Sequence, residues 1–348
     1  MKIFSKMAYI QSKILFSDLL KNSRACGMIY KNPFKRIKKE TKMSFLITLS
    51  AVAIMLIYAV PGFLLIKTGL VKDSHIPSFS KLLMFVCQPC ITIYSFRQVT
   101  FTIESLKNLG ICLALATGLQ LGMVLLYFFL FKRKRQDILW RIINLAAVLS
   151  NCAFLGIPIL EALLPDHPEA LAYSSVFGVA MTLIGWTAGL YIISLDKKYI
   201  KPKKILLNPG TIGFIIALIM YFFSIRLPQN MEDMLTLLGR MSTPLCMIIM
   251  GMRLATVRIK DIFCDLRQYL AVLLNQIAFP LIAFAIMYFM PISPILKQSV
   301  FILCACPVAS MVQNYAELIG EGNDKAANMV LLGTMTSVIT VPLVCLLI

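Results

Sequence analysis

Charged residues are scarce in this sequence of 348 residues. Only 14% are Asp, Glu, Lys or Arg, where a soluble globular protein carries about a quarter. Hydrophobic residues make up 59%, and the mean hydropathy is +0.82. This composition excludes an ordinary soluble domain and predicts an all-α polytopic membrane protein.

Several catalytic patterns are also missing. The two histidines, His75 and His167, lie in predicted loops, and there is no His-Glu-x-x-His motif. Asp233 is the single Asp in the predicted spans, so the pair of aspartates that an intramembrane aspartic protease needs is missing. No Gly-x-x-x-x-Gly-Lys-[Ser/Thr] loop marks an ATP-driven pump. We therefore expect no enzyme, no metal and no cofactor, while H⁺ or Na⁺ as a coupling ion stays open.

Cysteine is more abundant, with ten residues in the chain. Cys87 and Cys90 have the spacing of a redox or metal motif. They fall within an apolar run, where Cys usually serves as a small apolar residue. We favour that interpretation over a metal or disulfide role.

Ten apolar runs follow one another with short connections. They cover 45–66, 78–96, 108–131, 139–163, 170–194, 207–225, 231–252, 268–290, 296–318 and 326–347. Alternate connections hold sixteen and four Lys or Arg residues, and the basic set is expected to be cytoplasmic. Both ends of a core at 43–348 are then outside. The net charge of +18 reflects this topology rather than nucleic-acid binding.

Residues 1–42 differ from the core. They hold eleven Lys or Arg and two acids. One interpretation is an interfacial amphipathic helix around residues 3–19. We favour an upstream extension that does not belong to the membrane core, because a basic tail outside the cell would oppose the charge rule.

Two runs carry polar and helix-loosening residues at mid-depth. Asn151 lies about 18 Å into its run, near the midplane of a ~30 Å hydrocarbon core, where an amide is costly unless it is used. Gly156 and Pro158 follow it. The run 296–318 repeats the pattern with Pro307, Ser310, Gln313 and Asn314. Paired interruptions of this kind are typical of transporter sites built from broken helices.

The prolines also indicate an internal repeat. Pro89 and Pro244 occupy spans two and seven, and Pro158 and Pro307 occupy spans four and nine. A repeated five-span unit must be inverted in the membrane. The predicted fold is therefore ten transmembrane helices in two inverted five-helix repeats, with broken helices 4 and 9 that cross.

Crossing helices would bring two helix N-termini together. Each N-terminus carries partial positive charge and free N–H groups. With Asn151, Ser310 and Asn314, they would form a pocket for a carboxylate without any buried cation. The alternative is that these prolines and amides only kink the helices and join them.

Other polar residues have less specific interpretations. Arg240, nine residues into span seven, could steer an anion inward or extend to the outer interface. Glu161 and Glu317 are candidates for a proton relay. Interhelical hydrogen bonds are the favoured role of four amides, Gln88, Gln120, Asn275 and Gln276. A secondary carrier of organic anions is the favoured function, and a receptor or sensor with a carrier-like fold is the alternative.

Several motifs resemble those of the auxin efflux carrier (PIN-like) family over about 43–348, in its bacterial form. They are Leu149–Pro158, Asn208-Pro209, Thr243-Pro244-Leu245 with Gly251, Cys306–Ser310, Tyr315-Ala316-Glu317 and Thr334…Ser337…Thr340-Val341-Pro342. The resemblance implies organic-anion substrates such as auxin or malate. Where bacterial relatives often have Asn, this chain has Met311, so Gln313 or Asn314 would substitute or the pocket is less polar.

The resemblance also implies an organisation. A scaffold of 43–96 and 207–256 would form a homodimer in the plasma or inner membrane, and 104–194 with 268–348 would form a transport unit. Asn151 and Pro307 would lie at the crossing. The expected substrate-binding residues are Ser150, Asn151, Cys152, Pro307, Val308, Ser310, Met311, Gln313 and Asn314.

Overall fold

The computed structural model describes residues 33–200 and 207–347, with side chains from residue 43 onwards. The chain divides into two units, Met1–Met43 and Ser44–Ile348, and the contacts discussed below lie in the second. The amphipathic helix predicted around residues 3–19 lies outside the described residues. The part of the chain that the structure describes is helical and contains no β-strand.

The helices are labelled here in chain order, with a and b for the halves of a broken helix. They are α1 (Pro33–Ile57, continuing as Ala59–Lys67), α2 (Asp73–Arg97), α3 (Ile103–Leu130), α4a (Ile138–Ala146), α4b (Cys152–Leu163), α5 (Glu169–Ser194), α6 (Pro209–Phe222), α7 (Gln229–Thr256), α8 (Leu266–Tyr288), α9a (Pro294–Ala305), α9b (Met311–Ile319) and α10 (Asn323–Leu347).

Seven helices of the described residues are long and apolar enough to cross a membrane: α1 from Met43, α2, α3, α5, α7, α8 and α10. The apolar helices α4b, α6 and α9a are shorter. A helix is the stable form of such runs in lipid because it satisfies its own backbone hydrogen bonds.

Proline shapes three of these helices at matching positions. Pro89, Pro158 and Pro280 each stand two residues after a five-residue π-helical turn. Proline has no N–H to donate, and a wider turn lets the following helix continue around that gap. A loosened helix was expected from the sequence at Pro158, whereas Pro89 was expected only to mark an internal repeat.

Most of the helix packing lies within two groups, which are joined where α2 packs on α5. In the first group, α1 packs on α7, and α2 packs on α6 and on α7. In the second, α3 packs on α5, α9a packs on α5 and α8, and α10 packs on α8 and α9b. The broken segments of α4 and α9 face each other, and the site is at that point.

Candidate functional site

The interruption of α4 lies between Ala146 and Cys152. After it, the backbone carbonyl of Asn151 accepts hydrogen bonds from the N–H groups of Leu155 at 3.3 Å and Gly156 at 3.1 Å. The second bond spans five residues and produces the π turn at the start of α4b. The predicted break residues Gly156 and Pro158 follow this interruption and lie within α4b.

Pro158 leaves a carbonyl to be satisfied within α4b. The carbonyl of Phe154, four residues earlier, has no helical N–H donor at position 158. The hydroxyl of Thr243 on α7 donates to it at 2.8 Å. A side chain of another helix thus replaces the lost helical bond, as membrane helices with proline require.

The interruption of α9 covers Cys306 to Ser310, and it pairs with that of α4. The N–H of Asn151 donates to the carbonyl of Pro307 at 2.7 Å, and the N–H of Ala309 donates to the carbonyl of Leu149 at 2.8 Å. These two bonds form an isolated antiparallel bridge between Ser150 and Val308. Each unwound segment therefore satisfies backbone groups of the other, far from water.

A cavity of about 80 Å³ lies beside this bridge. Cys152 and Met311, the first residues of α4b and α9b, both line it. The positive ends of two helix dipoles are therefore directed toward one space. Its other lining residues are Ser80, Leu83, Met84, Gln88, Asn151, Ala153, Phe154, Met181, Cys246, Ile249, Arg253, Ala309, Ser310 and Asn314.

The predicted binding residues divide into two sets. Five of them line the cavity, namely Asn151, Cys152, Ser310, Met311 and Asn314. Ser150, Pro307 and Val308 instead form the buried bridge beside it. Gln313 is 4% exposed, and its amide donates to Oε1 of Glu317 at 3.0 Å. Between the two candidates proposed to replace the missing Asn, the structure places Asn314 at the cavity.

Arg253 also lines the cavity, and its side chain is 15% exposed. The sequence predicted a pocket without a buried cation, and this partly buried guanidinium is a lining group that it did not predict. The apolar run ends at Met252, so the sequence assigned Arg253 to a loop, but α7 continues for another turn to Thr256. The available signal was its position directly after the run, where a long side chain can reach back along its own helix.

A second cavity of about 270 Å³ adjoins the first. The two share five lining residues, Ser80, Met84, Arg253, Met311 and Asn314. The second cavity adds Glu317 and Leu318 near the end of α9b, and Asn208, whose side chain caps α6. We call it the vestibule. It leads from the helix breaks toward the C-terminal ends of α7 and α9b.

Arg240 lies elsewhere, about 20 Å from Arg253 along α7 at 1.5 Å per residue. Its Nη2 donates to the hydroxyl of Tyr94 at 2.9 Å and lies 3.7 Å from Oε1 of Glu161. The Tyr94 hydroxyl is 3.3 Å from the same carboxylate oxygen. This cluster of Arg240, Tyr94 and Glu161 joins α2 and α7 to α4b on the far side of the cavity from the vestibule.

The remaining amides have different roles. Gln276 donates to the carbonyl of Gly333 at 2.6 Å and accepts from Thr336 and Thr340, so it joins α8 to α10. Asn275 and Gln120 also make interhelical hydrogen bonds, as expected. Gln88 differs, because it lines the cavity.

Metal-binding groups are not found in the part of the chain that the structure describes. No set of three or more His, Cys, Asp or Glu side chains there could hold a metal ion. Cys87 and Cys90 are free thiols, and the first of them is buried. The lining of the cavity thus offers amides, hydroxyls, helix N-termini and one guanidinium, which are groups that bind an anion.

A comparison with protein-family models agrees with this architecture. The model of a membrane transport protein family matches residues 47–345. No curated protein matches the chain. The matched family consists of transporters rather than enzymes. The chain therefore belongs to the membrane transport protein family, that of the auxin efflux (PIN-like) carriers, and is a membrane-embedded transporter.

Proposed function

We propose that this transporter is a secondary carrier of small organic anions and that the cavity at the two helix breaks is its binding site. One observation carries the proposal: two helix N-termini, three amides and a largely buried guanidinium line the same small space. A guanidinium in the wall of a cavity is suited to binding a carboxylate that enters it.

The lining fits a substrate with one polar end and a short apolar body. Arg253, Asn151 and Asn314 supply donors for carboxylate oxygens. Phe154, Met181 and Ile249 supply apolar surface beside them. Apolar walls with a few placed polar groups are typical of small-molecule sites.

The vestibule supports alternating access. It leads toward the ends of α7 and α9b, on the side that the distribution of Lys and Arg assigns to the cytoplasm. The outer cluster of Arg240, Tyr94 and Glu161 joins helices on the opposite side. We therefore interpret this conformation as open inward, with Arg240 holding the outer side closed rather than steering an anion.

The full proposal includes the architecture expected from the sequence. Ten spans form two inverted repeats, and both ends of the core lie on the outer side of the cell membrane. Residues 104–194 and 268–348 move against a scaffold of 43–96 and 207–256, and the scaffold pairs two chains. The two groups of packed helices support this division. H⁺ or Na⁺ supplies the driving gradient.

Uptake by proteoliposomes tests the proposal. The purified chain is reconstituted and given a panel of labelled mono- and dicarboxylates, with and without imposed H⁺ and Na⁺ gradients. Asn151→Ala should reduce the apparent affinity roughly 10- to 100-fold, because a hydrogen bond to a charged group contributes about 1.5–3 kcal/mol and 1.4 kcal/mol is a factor of ten.

Asn144→Ala is the matched control. Asn144 is 2% exposed on α4a and lines neither cavity, so its loss should affect stability without changing the affinity. Uptake by Asn151→Ala equal to that of the wild-type protein at the same expression would contradict the assignment of the site. Binding of a carboxylate without transport under any gradient would instead indicate a receptor.

A further inference from the structure

The guanidinium at the binding site already has a carboxylate partner within the protein. Nη1 of Arg253 lies 3.5 Å from Oε1 of Glu317. Arg253 lines both the cavity and the vestibule, whereas Glu317 lines the vestibule. The cation therefore stands between the site and a carboxylate of the protein itself.

The contact between them is long. Strong hydrogen bonds between a guanidinium and a carboxylate measure about 2.7–2.9 Å and are often bidentate. Here Oε1 of Glu317 is at 3.5 Å from Arg253 and also accepts from the amide of Gln313 at 3.0 Å. Gln313 lies one turn earlier on the same helix and is buried, so it holds Glu317 on the vestibule side.

A free carboxylate can bind better from the cavity side. A guanidinium carries five N–H donors, and the contact with Glu317 is made through one nitrogen. An entering carboxylate can approach at the shorter bidentate distance and can also accept from Asn151 and Asn314. Glu317 tolerates displacement because its side chain is 44% exposed and water can solvate it.

We propose that Glu317 is an internal competitor: it neutralises Arg253 in the empty carrier and yields this position to the carboxylate of the substrate. The inference rests on the proposed function and adds the exchange step. The empty site thus avoids an unpaired, largely buried cation, which is unfavourable because the cation has lost most of its hydration. The substrate must in turn displace the protein carboxylate, so Glu317 lowers the apparent affinity.

The test measures binding by thermal shift of the full chain in detergent, because a ligand stabilises the folded state according to its concentration and affinity. Malate and acetate are the probes, over a range of concentrations. Glu317→Gln keeps an acceptor for Gln313 and removes the charge. It should bind the probes about two- to fivefold more tightly, as expected for loss of a partly exposed ion pair.

Arg253→Gln and the double variant complete a double-mutant cycle. Arg253→Gln should weaken binding about 10- to 100-fold, because a charge-assisted bidentate contact is lost. In the double variant, Glu317→Gln should have no additional effect. Glu321→Gln is the matched control, since Glu321 lies two residues after the end of α9b, pairs with Arg141 and lines neither cavity. It should leave the affinity unchanged.

Several results would overturn the inference. Weaker binding by Glu317→Gln would mean that Glu317 positions Arg253 for the substrate. An equal gain in affinity in the Arg253→Gln background, or in Glu321→Gln, would mean a general effect of negative charge. If no variant binds either probe and no carboxylate is taken up, the proposed function fails as well. If carboxylates are taken up but Glu317→Gln does not bind them more tightly, only the exchange of Glu317 for the substrate is refuted.

Discussion

The contact between α1 and α7 makes a sharp prediction about stability. Gly251 on α7 lies against Ala59 of α1, and Gly62 on α1 lies against Ile248 of α7. A Cβ atom added to Gly251 would be 2.7 Å from the carbonyl carbon of Ala59 and 3.0 Å from its Cα, and closer still to the carbonyl oxygen. Ordinary contacts begin at 3.4 Å. Gly251→Ala therefore forces two backbones apart.

The cost follows from the geometry. The atoms in the way belong to the backbone of a helix, which cannot turn aside as a flexible side chain can. Separating two surfaces by about 0.5–1 Å loses a quarter to a half of their dispersion energy, and overpacking costs about 1–3 kcal/mol. Alanine recovers up to about 1 kcal/mol of helix propensity. We expect a net loss of about 1–2 kcal/mol.

A thiol-reactive dye can measure this loss. Seven of the nine cysteines among the described residues are buried, so unfolding in detergent exposes thiols that the dye then labels. At roughly 2–4 °C per kcal/mol, Gly251→Ala should lower the melting temperature by about 2–8 °C. Gly118→Ala on α3 is the control. A Cβ there meets no atom within 4 Å, so the melting temperature should stay constant or rise.

A melting temperature of Gly251→Ala at or above that of the wild-type protein would refute this reasoning. It would mean that α1 and α7 do not approach as closely as their backbones indicate. A fall in both variants would show that any alanine at a membrane glycine is harmful, independently of this contact.

Two further predictions concern the site. Thr243→Val removes the donor to the Phe154 carbonyl that Pro158 leaves without its helical partner, so it should lower stability by about 1–3 kcal/mol in the same melting assay. Thr68→Val is the control and should have little effect, because its hydroxyl bonds within an exposed turn. Equal melting temperatures of the two variants would contradict the role of Thr243. Met311→Asn places an amide at a position that lines both cavities. In competition for uptake, this variant should favour dicarboxylates over monocarboxylates by about tenfold relative to the wild-type protein. An unchanged ratio of dicarboxylate to monocarboxylate uptake would show that position 311 does not contact the substrate.

The sequence could indicate that the fourth and ninth apolar runs are irregular because the signals are local, although the interruption of α4 lies at 147–151, before Gly156 and Pro158. Pro158 and Pro307 lack an N–H wherever they stand, and Gly156 loosens the backbone around it. The amides near them are unusual for an apolar run, so Asn151 and Asn314 could be assigned to a site before their surroundings were known. Family motifs supported the same assignments.

The arrangement of side chains around the breaks was less predictable. Ser150 and Val308 adjoin Asn151 and Pro307 in the sequence, so the sequence assigned them to the same site. The antiparallel bridge instead directs the backbone so that they are buried beside the cavity. Gln313 and Asn314 are adjacent in the sequence, and only the rotation of α9b places Asn314 at the cavity. Adjacent residues on a helix point about 100° apart, and the face that a short helix turns toward a cavity cannot be determined without knowing its neighbours.

By itself, the sequence determined that this chain is an apolar helical protein with two interrupted segments, because hydropathy and proline act over a few neighbouring residues. Only the tertiary structure decided that Arg253 lines the same cavity as Asn151 and Asn314, from which it is separated by 102 and 61 residues in the sequence. Such distances depend on how whole helices pack, and packing depends on the shapes of many side chains at once. The charge of the binding site is therefore a property of the assembled helices.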